Sequence, residues 1–190
     1  MKIDNEKQLV QLAKCGDKEA FGELMSIYSN NIYGLSLKLS RNSTMAQDLT
    51  QETFIKALNN IDKFKEEAKF STWLYRINTN LWINKYNKQK KNIILPLVAS
   101  EDDYEPRIAS SLFDPAEINR KIEIKEILWK SLDILPDHEK LVIVLCVYEG
   151  KKYREIAQIC NCSIKTVSSR YSRGIKRLKK YFKDNKENEL

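Results

Sequence analysis

The sequence predicts an all-α protein, two small helical domains joined by an acidic flexible linker. Apolar residues recur at three- and four-residue steps over most of the chain. Five Gly and four Pro among 190 residues leave little material for an all-β fold built on tight turns. Between Val98 and Pro115 the periodicity fails, Pro106 and Pro115 interrupt, and small, acidic and hydroxyl residues prevail.

The elements follow in order. Leu9, Leu12 and Ala13 mark a first helix. Phe21, Leu24, Met25 and Tyr28, then Ile32, Leu35, Leu37 and Leu39, continue the pattern, with Asp17 a suitable N-cap. A break at Arg41-Asn42-Ser43-Thr44 precedes a third helix over about Met45 to Asn59, and Asn60-Ile61-Asp62 turns the chain. A fourth helix is expected from Ser71, capped by its hydroxyl, to about Lys88. The linker, 94–118, separates domains at 1–93 and 119–190. Extended at ~3.3 Å per residue, Val98 to Ile118 would cover about 70 Å. Helices resume at Ala116–Asp133, Asp137–Tyr148, Tyr153–Ile159 and Ile164–Phe182.

The hydrophobic content of 42% supports one large or two small cores. Lys plus Arg number 33 against 26 acids, a formal charge of +7, which favours a polyanionic partner. The charge is segregated. Lys165, Arg170, Arg173, Lys176, Arg177, Lys179, Lys180 and Lys183 fall in a stretch without acid, whereas the linker holds Glu101, Asp102, Asp103, Glu105, Asp114 and Glu117 against Arg107. Cys15, Cys146, Cys160 and Cys162 fit neither a disulfide framework nor a zinc site, and His138 is the only histidine, so we read reduced, mostly buried thiols. No signal peptide is evident and the longest apolar run, Leu141 to Tyr148, is too short to span a bilayer; a soluble cytoplasmic protein is expected.

The segment from Tyr153 reads as a helix-turn-helix: Ile156, Ala157 and Ile159, the turn Asn161-Cys162-Ser163, then Ile164, Val167, Tyr171, Ile175, Leu178 and Phe182. Ser163 is placed to cap the second helix. Opposite its apolar stripe lie Lys165, Ser168, Ser169, Arg170, Ser172 and Arg173, hydroxyls and cations suited to base edges and phosphates, with Arg173 the best guanine reader. A solvated basic face on a bundle helix is the plainer account.

From Phe70 to Asn87 a helical projection separates three stripes. Phe70, Leu74, Ile77 and Leu81 form a buried one, and Trp73 is taken as core. Arg76, Asn80, Asn84 and Asn87 form a polar one able to bond bases, with Lys85, Lys88, Lys90 and Lys91 adding phosphate contacts. Tyr75, Trp82 and Tyr86 cluster on the third, either stacking on unpaired bases or packing in the core.

Two stretches carry a resemblance. Asp48-Leu49-Thr50-Gln51-Glu52-Thr53-Phe54, with Phe70-Ser71-Thr72-Trp73-Leu74-Tyr75-Arg76-Ile77, resembles region 2 of bacterial extracytoplasmic-function (ECF) sigma factors of the sigma-70 superfamily, and Leu135-Pro136 through Leu178 resembles their region 4. The resemblance implies a promoter-specificity subunit of RNA polymerase, with a region 2 bundle and a region 4 helix-turn-helix. Its implied partners are core polymerase, through the clamp of the largest subunit and the flap of the second largest, promoter DNA, and an anti-sigma factor.

By that likeness Asp48, Gln51 and Glu52 match the surface that meets the clamp helices, although acids near a helix N-terminus are also favoured by the helix dipole. Arg76 and Asn80 match positions used around the -10 element, with Asn84 and Lys88 beside them, and the loop from Lys65 to Lys69 matches one that pockets a flipped non-template base. Ser169, Ser172 and Arg173 match -35 readers, with Lys165 and Arg170 on phosphate. Ser168 departs, standing where many relatives carry Lys or Arg. The acidic linker resembles the segment that threads toward the RNA exit channel, where six carboxylates imitate RNA charge; a solvated tether has the same composition.

Two rival classes remain. An enzyme is disfavoured by the single His, no acid and base at recognisable spacing, no Gly-rich phosphate loop and no metal set, and no cofactor or metal is expected. The other is a free-standing helix-turn-helix regulator binding operator DNA without polymerase; a sigma subunit would bind promoter tightly only with core enzyme.

Overall fold

The structure, a computed structural model, describes residues 2–92 and 130–187. The expected linker, 94–118, and most of the expected helix Ala116–Asp133 lie outside the described residues. Every regular element described is a helix.

The N-terminal unit comprises α1 (Lys2–Lys14), α2 (Lys18–Ser40), α3 (Ser43–Leu58) and α4 (Phe70–Asn92), with one 3-10 turn at Ile61–Lys63. Local chemistry sets the boundaries. Gly16, at φ 94, turns the chain, and Asp17 Oδ1 accepts from the N–H groups of Glu19 and Ala20 at 2.9 and 3.0 Å, as expected of a cap. At Arg41 (φ 55) α2 stops, and Asn42 Oδ1 starts α3 by accepting from Met45 N–H at 2.7 Å. So short a connection folds α3 back on α2.

The start of α4 differs from expectation. Trp73 N–H bonds the Lys69 carbonyl at 3.2 Å, so Ser71 sits inside the first turn and does not cap it. Packing decides this. Phe70 is drawn into a cluster with Tyr28, Phe64 and Trp73, at ring separations of 5.7, 5.6 and 5.6 Å, and carries the helix with it.

Leu24, Ile32, Leu35, Leu49 and Leu74 fill the core between these helices. Tyr75 and Trp82 are buried with them, which resolves their two readings in favour of packing; the Tyr86 side chain lies outside those described. Trp73 is corrected in the opposite sense, since it is only half-buried at the edge of the cluster.

In the C-terminal unit, helical residues 130–133 precede α5 (Asp137–Ile143), which widens into a π turn at Val144–Tyr148, followed by α6 (Tyr153–Ile159) and α7 (Ile164–Glu187). The Glu155 carboxylate caps α6 by accepting Lys152 N–H at 2.9 Å. Asn161, at φ 47, makes the turn and Ser163 Oγ accepts Thr166 N–H at 3.1 Å, the cap that the sequence anticipates. Gly174 lets α5 and α7 approach, because a Cβ there would stand 3.1 Å from Ile143 Cγ1.

The units touch. Arg76 on α4 reaches α6, Arg41 pairs with Asp133, and Lys38 and Tyr75 both bond Glu149. The cysteines are less buried than expected: Cys15 is exposed and the other three are half-buried. Burial still pushes the Cys160 thiol up to about 12, so it stays neutral.

Candidate nucleic-acid interface

Two of the residues in the expected polar stripe of α4 line a cavity of about 340 Å³. Asn80 and Asn84, both exposed, stand on its wall, and Trp73, Ile77 and Leu81 contribute the apolar surface. Lys56 from α3, with Asn60 and Lys63 from the turn that follows, completes it. An apolar face rimmed by amides and ammonium groups can take a flat heterocycle and the phosphates on either side. Asn60 is held in place: its Nδ2 donates to the Lys56 carbonyl at 2.9 Å and its Oδ1 accepts from Lys63 Nζ at 3.2 Å.

Lys56, Asn60 and Lys63 escaped the sequence reading. They lie before the loop at 65–69, and only the fold of α3 against α4 brings them into one cavity with Asn80. Lys65 and Lys69 are exposed on that loop. Lys88 belongs to α4, but its side chain lies outside those described.

Two residues in the expected DNA face are engaged elsewhere. Arg76 donates through Nε and Nη2 to the Gln158 carbonyl at 3.0 and 2.6 Å, so it points at the C-terminal unit. Lys85, expected on phosphate, lies 2.7 Å from Glu52 Oε1 and 3.9 Å from Asp48 Oδ2. It therefore partly neutralises the acidic face of α3. That face presents Asp48, Gln51 and Glu52, and extends along the helix to Ile55 and Leu58, which are 58% and 44% exposed. An acidic patch continued by apolar surface suits a partner helix better than charge alone.

On α7, Lys165, Ser168, Ser169, Ser172 and Arg173 are exposed and Arg170 is half-buried, its Nη1 4.0 Å from Cys162 Sγ. The stretch itself holds no acid, but one reaches two of its cations from α5. Glu139 of α5, only 2% exposed, lies 3.5 Å from Arg173 Nε and 3.0 Å from Arg177 Nε. A buried carboxylate so placed draws the Arg173 guanidinium by charge, while the Arg173 side chain remains 57% exposed.

Comparison with known proteins identifies the family. The model of sigma-70 region 2 matches residues 24–92 and that of sigma-70 region 4 matches residues 125–178. The ECF RNA polymerase sigma factor SigW of Bacillus subtilis (strain 168) is 34% identical over 182 residues, covering 94% of this chain and 97% of its own. In fold, the chain is similar to CnrH in its complex with the cytosolic domain of CnrY, with a TM-score of 0.69 over 95% of this chain and 99% of that one at 23% identity. It is also similar to the sigma factor RpoE of Bartonella quintana, solved with the anti-sigma factor NepR, with a TM-score of 0.64 over 86% and 96% of the two chains at 25% identity. With both regions matched in order and a relative aligned over nearly its whole length, this chain belongs to the ECF RNA polymerase sigma factors, the promoter-specificity subunits of that enzyme.

Proposed function

We propose that residues 1–93 dock on core polymerase and open the -10 element, that residues 119–190 hold the -35 duplex, and that 94–118 tether the two. The observation that carries this reading is the cavity in which Asn80 and Asn84 face Lys56, Asn60 and Lys63 across Trp73. A base leaving its stack costs a few kcal/mol, and a site that meets it only once unpaired offsets that cost only in open DNA. Melting is then driven by differential binding to the separated strand.

Lys65, Lys69, Asn80, Asn84 and Lys88 serve the -10 strand. Arg76 joins them once it leaves Gln158. Asp48, Gln51 and Glu52, with Ile55 and Leu58, meet the clamp of the largest subunit. Lys165, Ser169, Arg170, Ser172 and Arg173 read and grip the -35 duplex. The chain works in the cytoplasm as a non-catalytic subunit, and the likeness to a sigma factor solved with its anti-sigma factor supports a partner of that kind.

Asn80→Ala tests the reading. With core enzyme, permanganate reactivity of -10 thymines should fall while capture of duplex promoter is retained. Unchanged reactivity would remove Asn80 from the opening step. Binding of promoter duplex by the chain alone, as tightly as with core enzyme, would instead indicate a free-standing regulator.

A further inference from the structure

The region 2 match begins at residue 24, so α1 lies before it, yet the last turn of α1 reaches the loop between Phe64 and Phe70. Gln11 Nε2 donates to Glu66 Oε1 at 2.6 Å, and Lys14 Nζ donates to the same oxygen at 3.1 Å and to the Phe64 carbonyl at 3.0 Å. Glu66 has φ 58, a left-handed conformation that is strained for a non-glycine residue and persists where the surroundings impose it. The Lys14 hydrogen bond, seconded by Gln11, holds the Glu66 carboxyl below the usual carboxylate range.

The ends of this loop are secured separately. Phe64 is buried 5.6 Å from Phe70 and 5.1 Å from Trp73, ring to ring, and Trp73 also lines the cavity. Between these anchors the loop has exposed Lys65 and Lys69 and the strained Glu66, and the contacts from α1 grip it at its bend.

We propose that Gln11 and Lys14 are positioning residues for base capture: by pinning Glu66 and the Phe64 carbonyl from behind, α1 sets the bend that aims Lys65 and Lys69 at the melted strand. Lys14 also neutralises a carboxylate that would repel incoming phosphates. This rests on the reading of the neighbouring cavity as the -10 strand site. The bridge is exposed and adds little to global stability, so its effect falls on the aim of the loop rather than on folding.

The test uses the full chain with core polymerase on promoters carrying 2-aminopurine in the -10 element, with each base in turn at the captured position. Four proteins are compared with the parent: Lys14→Met, Lys14→Glu, Glu66→Lys and the exchanged pair Lys14→Glu/Glu66→Lys. The single variants should lose about tenfold in opening rate and in preference for the captured base, as expected when a positioned group shifts, with an unchanged melting temperature. The exchanged pair should recover part of the preference, because it restores the ion pair between residues 14 and 66 but not the bond to the Phe64 carbonyl; loss of a merely structural contact would predict no recovery. Parental opening and preference in Lys14→Met, while Asn80→Ala is defective, would overturn the role of α1 alone. So would failure of the exchanged pair to recover any of the preference. Should Asn80→Ala also open normally, the strand site itself is misassigned and this inference falls with it.

Discussion

The Tyr75 hydroxyl donates to Glu149 Oε2 at 2.6 Å, joining α4, the helix proposed to serve the -10 strand, to the unit proposed to hold the -35 duplex. Lys38 Nζ takes the other carboxylate oxygen at 2.7 Å, and Lys151 Nζ lies 4.5 Å from the centre of the Tyr75 ring. Burial, with Glu149 adding to it, raises the Tyr75 phenol well above its ordinary value. The same surface engages Arg76, so a sigma factor in this closed form has one of its proposed -10 contacts occupied by its own Gln158.

Removing the carboxylate should open the molecule. Glu149→Ala removes the acceptor that Lys38 and Tyr75 share and should weaken the contact by about 3 kcal/mol, the scale for hydrogen bonds to a charged group. Small-angle scattering of the free protein should report a larger radius of gyration; an unchanged radius would mean that other contacts hold the units together. The contact should also be lost at high pH. A phenol whose folded pKa is raised stabilises fully below its unfolded value of about 10, and that contribution falls as pH climbs through the folded value. Tyr75→Phe should lack this alkaline step.

What the sequence discloses here is mostly what is local. Asp17 and Ser163 are legible as caps because each bonds N–H groups two or three residues ahead, and the two-helix reader is legible from its apolar spacing and its turn at Asn161. Arg76 and Arg173 looked free because their partners, Gln158 and Glu139, sit far along the chain on another helix. Trp73 and Tyr75 show the same limit: the sequence places Trp73 in the core and leaves Tyr75 between stacking and packing. Both are aromatic residues on one helix, and only the neighbours decide that Tyr75 is enclosed and Trp73 stands at the mouth of a cavity. Lys56, Asn60 and Lys63 had no periodic signal, since their role depends on how α3 meets α4.

Charge reversal on α3 should now have two effects. Asp48→Lys with Glu52→Lys removes the acids offered to the clamp and sets two cations beside Lys85, so core association should fall more than tenfold, about 1.4 kcal/mol or above, with a smaller loss of stability. Lys85→Ala should do the reverse, uncovering the acids and speeding association at low salt. A pull-down of core enzyme unaltered by the double reversal would refute the docking face.

Arg173 should act through its aim. Arg173→Ala is expected to cost ~1 to 3 kcal/mol and to relax preference at one -35 base pair. Glu139→Gln keeps the shape of the buried side chain but weakens its hold on Arg173 Nε and Arg177 Nε, so it should relax the same base pair to a lesser degree. Competition binding of holoenzyme against a panel of single-base -35 variants checks both. An equal loss across the panel would reassign Arg173 to phosphate.

The face of α4 proposed to meet DNA is oriented by a polar node on its opposite side. Asn78 Nδ2 donates to Ser36 Oγ at 2.7 Å and to Thr53 Oγ1 at 3.1 Å, and Thr53 Oγ1 donates to the Leu49 carbonyl at 2.6 Å. All three side chains are fully buried, and they tie α2, α3 and α4 together. Asn78→Ala removes both bonds and leaves a void, and should destabilise by about 2–4 kcal/mol. Asn78→Leu restores volume but still strands the Ser36 hydroxyl, so it should rescue little. Replacing the node together, as Ser36→Ala, Thr53→Val and Asn78→Leu, leaves no polar group without a partner and should recover most of the loss. Urea unfolding midpoints separate the cases: if the triple variant is no more stable than Asn78→Ala, volume rather than hydrogen bonding governs the node. If it is stable but opens promoters poorly, the node acts by fixing the rotation of α4 and hence the direction in which Asn80 and Asn84 point.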